Sequence, residues 1–251
     1  MSETTIKRKR KKRVPAHERE MGVMEHLGEL RARIFRALCI VLVASTFVWF
    51  YFDPLYTFFS APIKPYLGAG DKLIVTNWLE PFFLRLKLSL YGGLTASAPF
   101  WVIELWGFVA PALTPQERKP LRFYVPLSIV LFALGAALAH WTLPMAYRWA
   151  LGYRMPGTEL MQHANDYIEL VAKLYLAFGL CFELPIILVF LAKVGITDAP
   201  MMRLYWRQAV LIIMTVAAVV TPSNDPLTMM MCAIPMAFLY LFSIILVERT
   251  T

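Results

Sequence analysis

Apolar residues gather along the chain into six long runs, about 34 to 52, 83 to 109, 122 to 143, 168 to 192, 206 to 221 and 227 to 247, with short polar stretches between them. A bilayer core requires about 20 mostly apolar residues per helix. Barrel strands would instead alternate apolar and polar residues over spans of roughly ten. The pattern predicts an all-α integral membrane protein with six transmembrane helices. A composition of 59% apolar and 14% aromatic residues, with a mean hydropathy of +0.56, agrees with that class and not with an ordinary soluble domain.

Just before the first run, "MEHLGELRARIFR" (24 to 36) places Val23, Leu27, Leu30 and Ile34 at helical spacing, with Glu25, Glu29, Arg33 and Arg36 on another face. This predicts an amphipathic helix at the membrane surface that then turns in. Its simplest reading pairs Glu29 with Arg33 one turn on. The fifth run, Trp206 to Thr221, has 16 residues and rises only about 24 Å, so the bilayer should thin beside it. In the fourth run, Pro185 cannot donate to the carbonyl of Cys181, and a kink is expected beside Glu183, the one charged residue in "LAFGLCFELPIILVFLA". A carboxylate at that depth costs at least ~2.5 kcal/mol. It is either a neutral acid bonded to a neighbouring helix or a polar point on a water-accessible face.

Charge gives orientation. Of the 25 Lys and Arg, 18 fall in segments on the side of the N-terminus and four in the loops opposite, with Arg85, Lys87 and Lys173 inside spans near that opposite end. Positive charge marks the cytoplasmic side, so both termini are expected there. The chain divides into a basic cytoplasmic tail, 1 to 23, and a membrane domain, 24 to 251. "KRKRKKR" (7 to 13) lacks interleaved aromatics and reads as a topology anchor that attracts anionic membrane lipid, not as a nucleic-acid site. It is unlike a secretory signal, because more than 30 residues precede the first run and no small-residue cleavage site follows.

Chemistry is sparse. Cys39, Cys181 and Cys232 all fall within apolar runs, and the four histidines are scattered. No nucleophile sits in a motif with a base, and no glycine-rich phosphate loop appears, so neither an enzyme nor a metal or other cofactor is expected. Two loop acids have local roles available. Thr114, Pro115 and Glu117 are arranged as N-cap, N1 and N3 of a capping box, and Asp225 precedes Pro226 as an N-cap would.

Taken together, "HLGELRAR", "SAPI", "EPFFLRLKL", "SAPFWVIELWGFVAPAL" with "ERK", "AFGLCFELP", and "TP" with "AIP" appear in the order and spacing of one family. Over residues 24 to 247 the chain resembles TatC, the polytopic receptor subunit of the twin-arginine protein translocase. The resemblance implies a cupped bundle with short fifth and sixth spans. It also implies a receptor in the bacterial cytoplasmic membrane for paired-arginine signal peptides of folded cargo, driven by the proton-motive force. Its partners would be small single-span TatA-type and TatB-type subunits and further copies of this chain. Positions matching signal-peptide-binding residues are Glu29, Glu117, Arg31, Phe108, Arg118 and Pro62; the intramembrane acid matches Glu183, beside Pro185. The wall of spans five and six, including Asp225, Met214 and Met231, is the expected docking surface for single-span helices.

Departures fall mostly on that wall. Met229 stands where Gln is common, "TPSND" carries an extra residue, and Leu241 follows Tyr240 where Glu is common; Glu104 replaces a usual Gln in the second span. A proton-coupled transporter would show paired broken helices from internal repeats, and a channel would line successive depths with polar residues. Neither pattern is evident, and uptake of a labelled solute into proteoliposomes would favour the transporter.

Overall fold

The computed structural model describes residues 23–68, 71–113, 121–155, 157–220 and 226–250. Glu117, Arg118 and Asp225 lie outside the described residues, as do both proposed caps. Ten helices are described: α1 (Val23–Phe50), α2 (Phe52–Ser60), α3 (Glu80–Ala96), α4 (Ala98–Val109), α5 (Leu121–Leu151), α6 (Ala164–Phe182), α7 (Leu184–Lys193), α8 (Ala199–Leu204), α9 (Trp206–Val220) and α10 (Pro226–Thr250). Two three-residue strands, β1 (Lys72–Ile74) and β2 (Met161–His163), pair in parallel at one end of the bundle. They are too short to leave a two-residue alternation in the sequence, which is why an all-α reading misses them.

The amphipathic stretch and the first apolar run form one unbroken helix, α1, in place of a surface helix that turns in. Its 28 residues span about 42 Å. Phe35, Leu38, Leu42 and Phe47 are exposed along it, as lipid-facing positions are. The opposite face lies against α3. There Gly93 permits contact, since a Cβ at that position would come within 2.5 Å of the Ser45 backbone.

The second apolar run breaks into α3 and α4 at Ser97, two residues before Pro99. At this break the Trp101 indole donates to the partly buried Leu94 carbonyl at 2.9 Å, giving a backbone acceptor near the helix end a partner. The fourth run breaks into α6 and α7 at Glu183, followed by Pro185 at the second position of α7, and the Glu183 amide turns to the Leu180 carbonyl at 3.1 Å. The kink expected from Pro185 is present.

Four helical stretches are long and apolar enough to cross a membrane: His26–Phe50, Leu121–Leu151, Ala164–Lys193 and Met229–Arg249; Ala98–Val109 and Trp206–Val219 are shorter and also apolar. The chain is a multi-pass membrane protein. At the centre, α6 packs along α5 with small residues at the closest approach. A Cβ on Gly135 would lie 2.3 Å from the Phe178 carbonyl oxygen, and one on Gly179 would lie 2.7 Å from the Phe132 ring. Close backbone approach through small residues is how membrane helices gain contact where lipid is as apolar as leucine.

Candidate functional site

Where α1 begins and α4 ends, four charged side chains from the two helices converge. Arg33 donates Nε and Nη2 to one oxygen of Glu29, Oε1, at 3.0 and 2.7 Å. Its Nη1 reaches Glu104 Oε2 of α4 at 3.3 Å, and Arg36 Nη2 reaches the same oxygen at 3.0 Å. Gly107 makes room for this guanidinium, because a Cβ there would sit 2.1 Å from Arg33 Nη1. The second oxygen of Glu29, Oε2, is buried and has no hydrogen-bond partner among the described residues. An unpaired carboxylate oxygen out of water is costly, so this one has unused capacity for a donor. The expected Glu29–Arg33 pair is therefore present, but as part of an interhelical cluster.

Beneath the cluster an apolar groove runs between α1 and α4, lined by Leu30, Ile34, Leu38, Trp101, Leu105 and Phe108 among others, with Arg33 and Glu104 at its edge. Phe108 also stacks on His26, ring centroids 4.5 Å apart. Glu29 and Phe108 are thus brought to one place. Arg31 is on the same helix but exposed on another side of it. Pro62 does not join them: it is buried in the turn after α2, beyond the far end of α1. The Glu104 contribution was not legible in sequence, because 71 residues separate it from Arg33.

A second polar group lies deep in the bundle. The Trp106 indole donates to Ser128 Oγ at 2.9 Å, and the Glu183 carboxyl lies beside the Ser128 hydroxyl. All three side chains are buried, and Glu183 Oε1 has no partner among the described residues. The break between α6 and α7 puts Glu183 at this point, with Pro185 buried beside it. Ser128 gave a faint signal as the single serine within its apolar run.

On the wall formed by α9 and α10, Met214 packs partly buried against the core. Met231 borders a separate apolar groove with Leu143, Leu170, Leu174 and Cys232. At the end of the bundle opposite the Glu29 cluster, Asp71 accepts from Arg154 at 2.6 and 2.8 Å and from the Gly68 and Leu160 amides at 2.7 and 2.8 Å. The Arg154 hydrogen bonds, ahead of those from the amides, hold the Asp71 carboxyl well below its usual range, at about 2. This clasp ties the loop before β1 to the loop before β2. Among the described residues no group of His, Cys, Asp and Glu has the arrangement of a metal site.

A family model described as "Sec-independent protein translocase protein (TatC)" matches residues 25–235. The chain belongs to the TatC family. It is 34% identical over 229 residues to the TatC protein of Desulforapulum autotrophicum, covering 91% of this chain and 84% of that one. It is also 36% identical over 242 residues to the chloroplastic TATC protein of Arabidopsis thaliana, covering 96% and 70%. A crystal structure of the twin-arginine translocase receptor TatC superposes with a TM-score of 0.83 at 30% identity, covering 90% of this chain and 99% of that one. TatC proteins are components of Sec-independent protein translocation and not catalysts, so the chain is a transport protein and not an enzyme. The resemblance read from the motifs is borne out, and within a TatC fold the Glu29–Arg33–Glu104 cluster lies at the end of the bundle where the N-terminal helix begins.

Proposed function

We propose that this TatC-family chain is the receptor and core subunit of twin-arginine translocation, binding paired-arginine signal peptides of folded cargo. In this reading six spans cross the bacterial cytoplasmic (inner) membrane: α1, α3 with α4, α5, α6 with α7, α9 and α10. Both termini are cytoplasmic, as the excess of Lys and Arg on one side supports. Small single-span TatA-type and TatB-type subunits complete the machine along α9 and α10, and several copies of the chain assemble with them. The proton-motive force supplies the energy, as the family resemblance implies.

The observation that carries this reading is the carboxylate of Glu29. It already receives two N–H groups of the Arg33 guanidinium on Oε1 and leaves Oε2 without a donor among the described residues, and that same Arg33 edges an apolar groove. A planar guanidinium forks onto a carboxylate where a lysine ammonium offers only a point charge, so such an acid discriminates Arg from Lys. Glu117, later in the sequence than α4, is the second acid proposed for the pair. The groove below offers an apolar surface to the hydrophobic stretch that follows the arginines in a signal peptide.

Export of a folded fluorescent reporter tests the reading in cells whose only TatC protein is this chain. Glu29→Ala is expected to stop export of the reporter when it carries a paired-arginine signal, with the membrane level of the chain unchanged. Export of an unfolded cargo by a different route in the same cells should continue. Undiminished export of the folded reporter would overturn the proposal.

A further inference from the structure

A second groove, on the flank formed by α5, α7 and α10, is separate from the one beside the Glu29 cluster. Leu127, Leu131 and Leu134 of α5 form one wall, with Val189 of α7 and Leu239 and Phe242 of α10 opposite. At the end where α5 starts and α7 stops, Tyr124 and Lys193 border it, the Lys193 ammonium standing 5.6 Å from the centre of the Tyr124 ring. Tyr124 is only 7% exposed, and its hydroxyl has no hydrogen-bond partner among the described residues.

We propose that this groove binds one anionic phospholipid, its phosphate at Lys193 and Tyr124 and an acyl chain lying along the leucines of α5. Length is the first support. From Tyr124 to Leu134 the helix rises about 15 Å, half of a hydrocarbon core of roughly 30 Å and therefore the depth of one leaflet. The polar groups stand at one end only, where headgroups lie, and the remaining walls are apolar. A basic residue and a tyrosine at that level suit a phosphate and the interface around it.

The wall residues decide between a lipid and a partner helix. Helices in this protein approach one another through Gly135 and Gly179, or through Gly93, as membrane helices generally do. The groove offers no glycine, alanine or serine along its length. Large branched and aromatic side chains leave an uneven channel that holds a helix backbone away, whereas a flexible acyl chain follows it.

Photo-crosslinking tests the proposal. The full chain is placed in phosphatidylcholine nanodiscs containing a small fraction of either phosphatidylglycerol or phosphatidylcholine with a diazirine on the acyl chain. After photolysis, labelled peptides are mapped. Phosphatidylglycerol is expected to label the α5 and α10 walls about fivefold more than phosphatidylcholine, the factor that one basic residue near the surface provides. The exposed face of α1 at Val43 and Phe47, beyond the arginines at its start, should show no such preference. Lys193→Gln, a change at an exposed position, should bring the two lipids to equal labelling of the groove while leaving α1 labelling as it was. Equal labelling in the unaltered chain, or a preference that survives Lys193→Gln, would overturn the proposal. Loss of groove labelling when a single-span subunit is included would identify a helix as the occupant and overturn it as well.

Discussion

Arg33 and Glu104 meet across 71 residues of chain, Nη1 to Oε2 at 3.3 Å, and this contact fastens the start of α1 to the end of α4 through the same guanidinium that holds Glu29. Arg33→Ala would leave two partly buried carboxylates facing each other, with only the half-exposed Arg36 between them and solvent. The expected loss of stability is about 1–2 kcal/mol, between the values for exposed and buried ion pairs. A peptide bearing paired arginines should restore the lost melting temperature in detergent, and one bearing paired lysines should restore less, because the vacated place is shaped for a guanidinium. Equal restoration by both peptides would contradict that account.

The Asp71–Arg154 clasp predicts a pH dependence. Asp71 has its carboxyl held down at about 2 by Arg154 and the amides of Leu160 and Gly68, against about 3.9 for an unperturbed aspartate. A depressed folded-state value means that the contribution is fully present above the unfolded value and is lost as pH falls through the folded one. Asp71→Asn should therefore melt below the unaltered chain at pH 7, and the gap should close as pH falls from about 4 to about 2. A gap that stays constant through this window would refute the clasp.

Ser128 stands between Trp106 and Glu183, accepting from the indole and lying beside the carboxyl. Ser128→Ala leaves a buried indole N–H without its acceptor and removes the hydroxyl beside a buried carboxyl, at an expected cost of about 1–2 kcal/mol. Glu183→Ala has a different expected outcome: export falls while the chain is inserted at its normal level, since the acid stands at a helix break with one oxygen unpaired. If the protein disappears from the membrane in that variant, Glu183 is structural only.

Met231 borders an open apolar groove of α5, α6 and α10, and Met214, a residue of the neighbouring helix α9, packs partly buried against the core. Cysteine placed at either position should cross-link to a cysteine in the span of a TatA-type or TatB-type subunit under mild oxidation. Cross-links formed only between copies of this chain would reassign the wall to self-assembly.

What sequence reveals of such a protein depends on how local the physics is. Apolar runs, the Pro185 kink and the break at Glu183 follow from neighbours a few residues apart, and each was legible. Pro99 carried the same kind of signal as Pro185, and reading the second run as one helix passed over it. The Glu29–Arg33 pair was legible because its spacing is one helical turn. Glu104 and the Asp71–Arg154 clasp join residues 71 and 83 positions apart, a separation that hydropathy and spacing do not encode. Pro62 shows the converse: a residue placed with Glu29 by resemblance alone falls at the other end of α1.

The most direct test of the central claim is the affinity of the purified chain, in nanodiscs at low salt, for a signal peptide with paired arginines and for its paired-lysine counterpart. The account predicts preferential binding of the arginine form, with Glu29→Gln and Glu117→Gln each weakening that peptide more than the lysine control and leaving the melting temperature within a few degrees of the unaltered chain. Equal affinities for the two peptides in the unaltered chain and in both variants would contradict it.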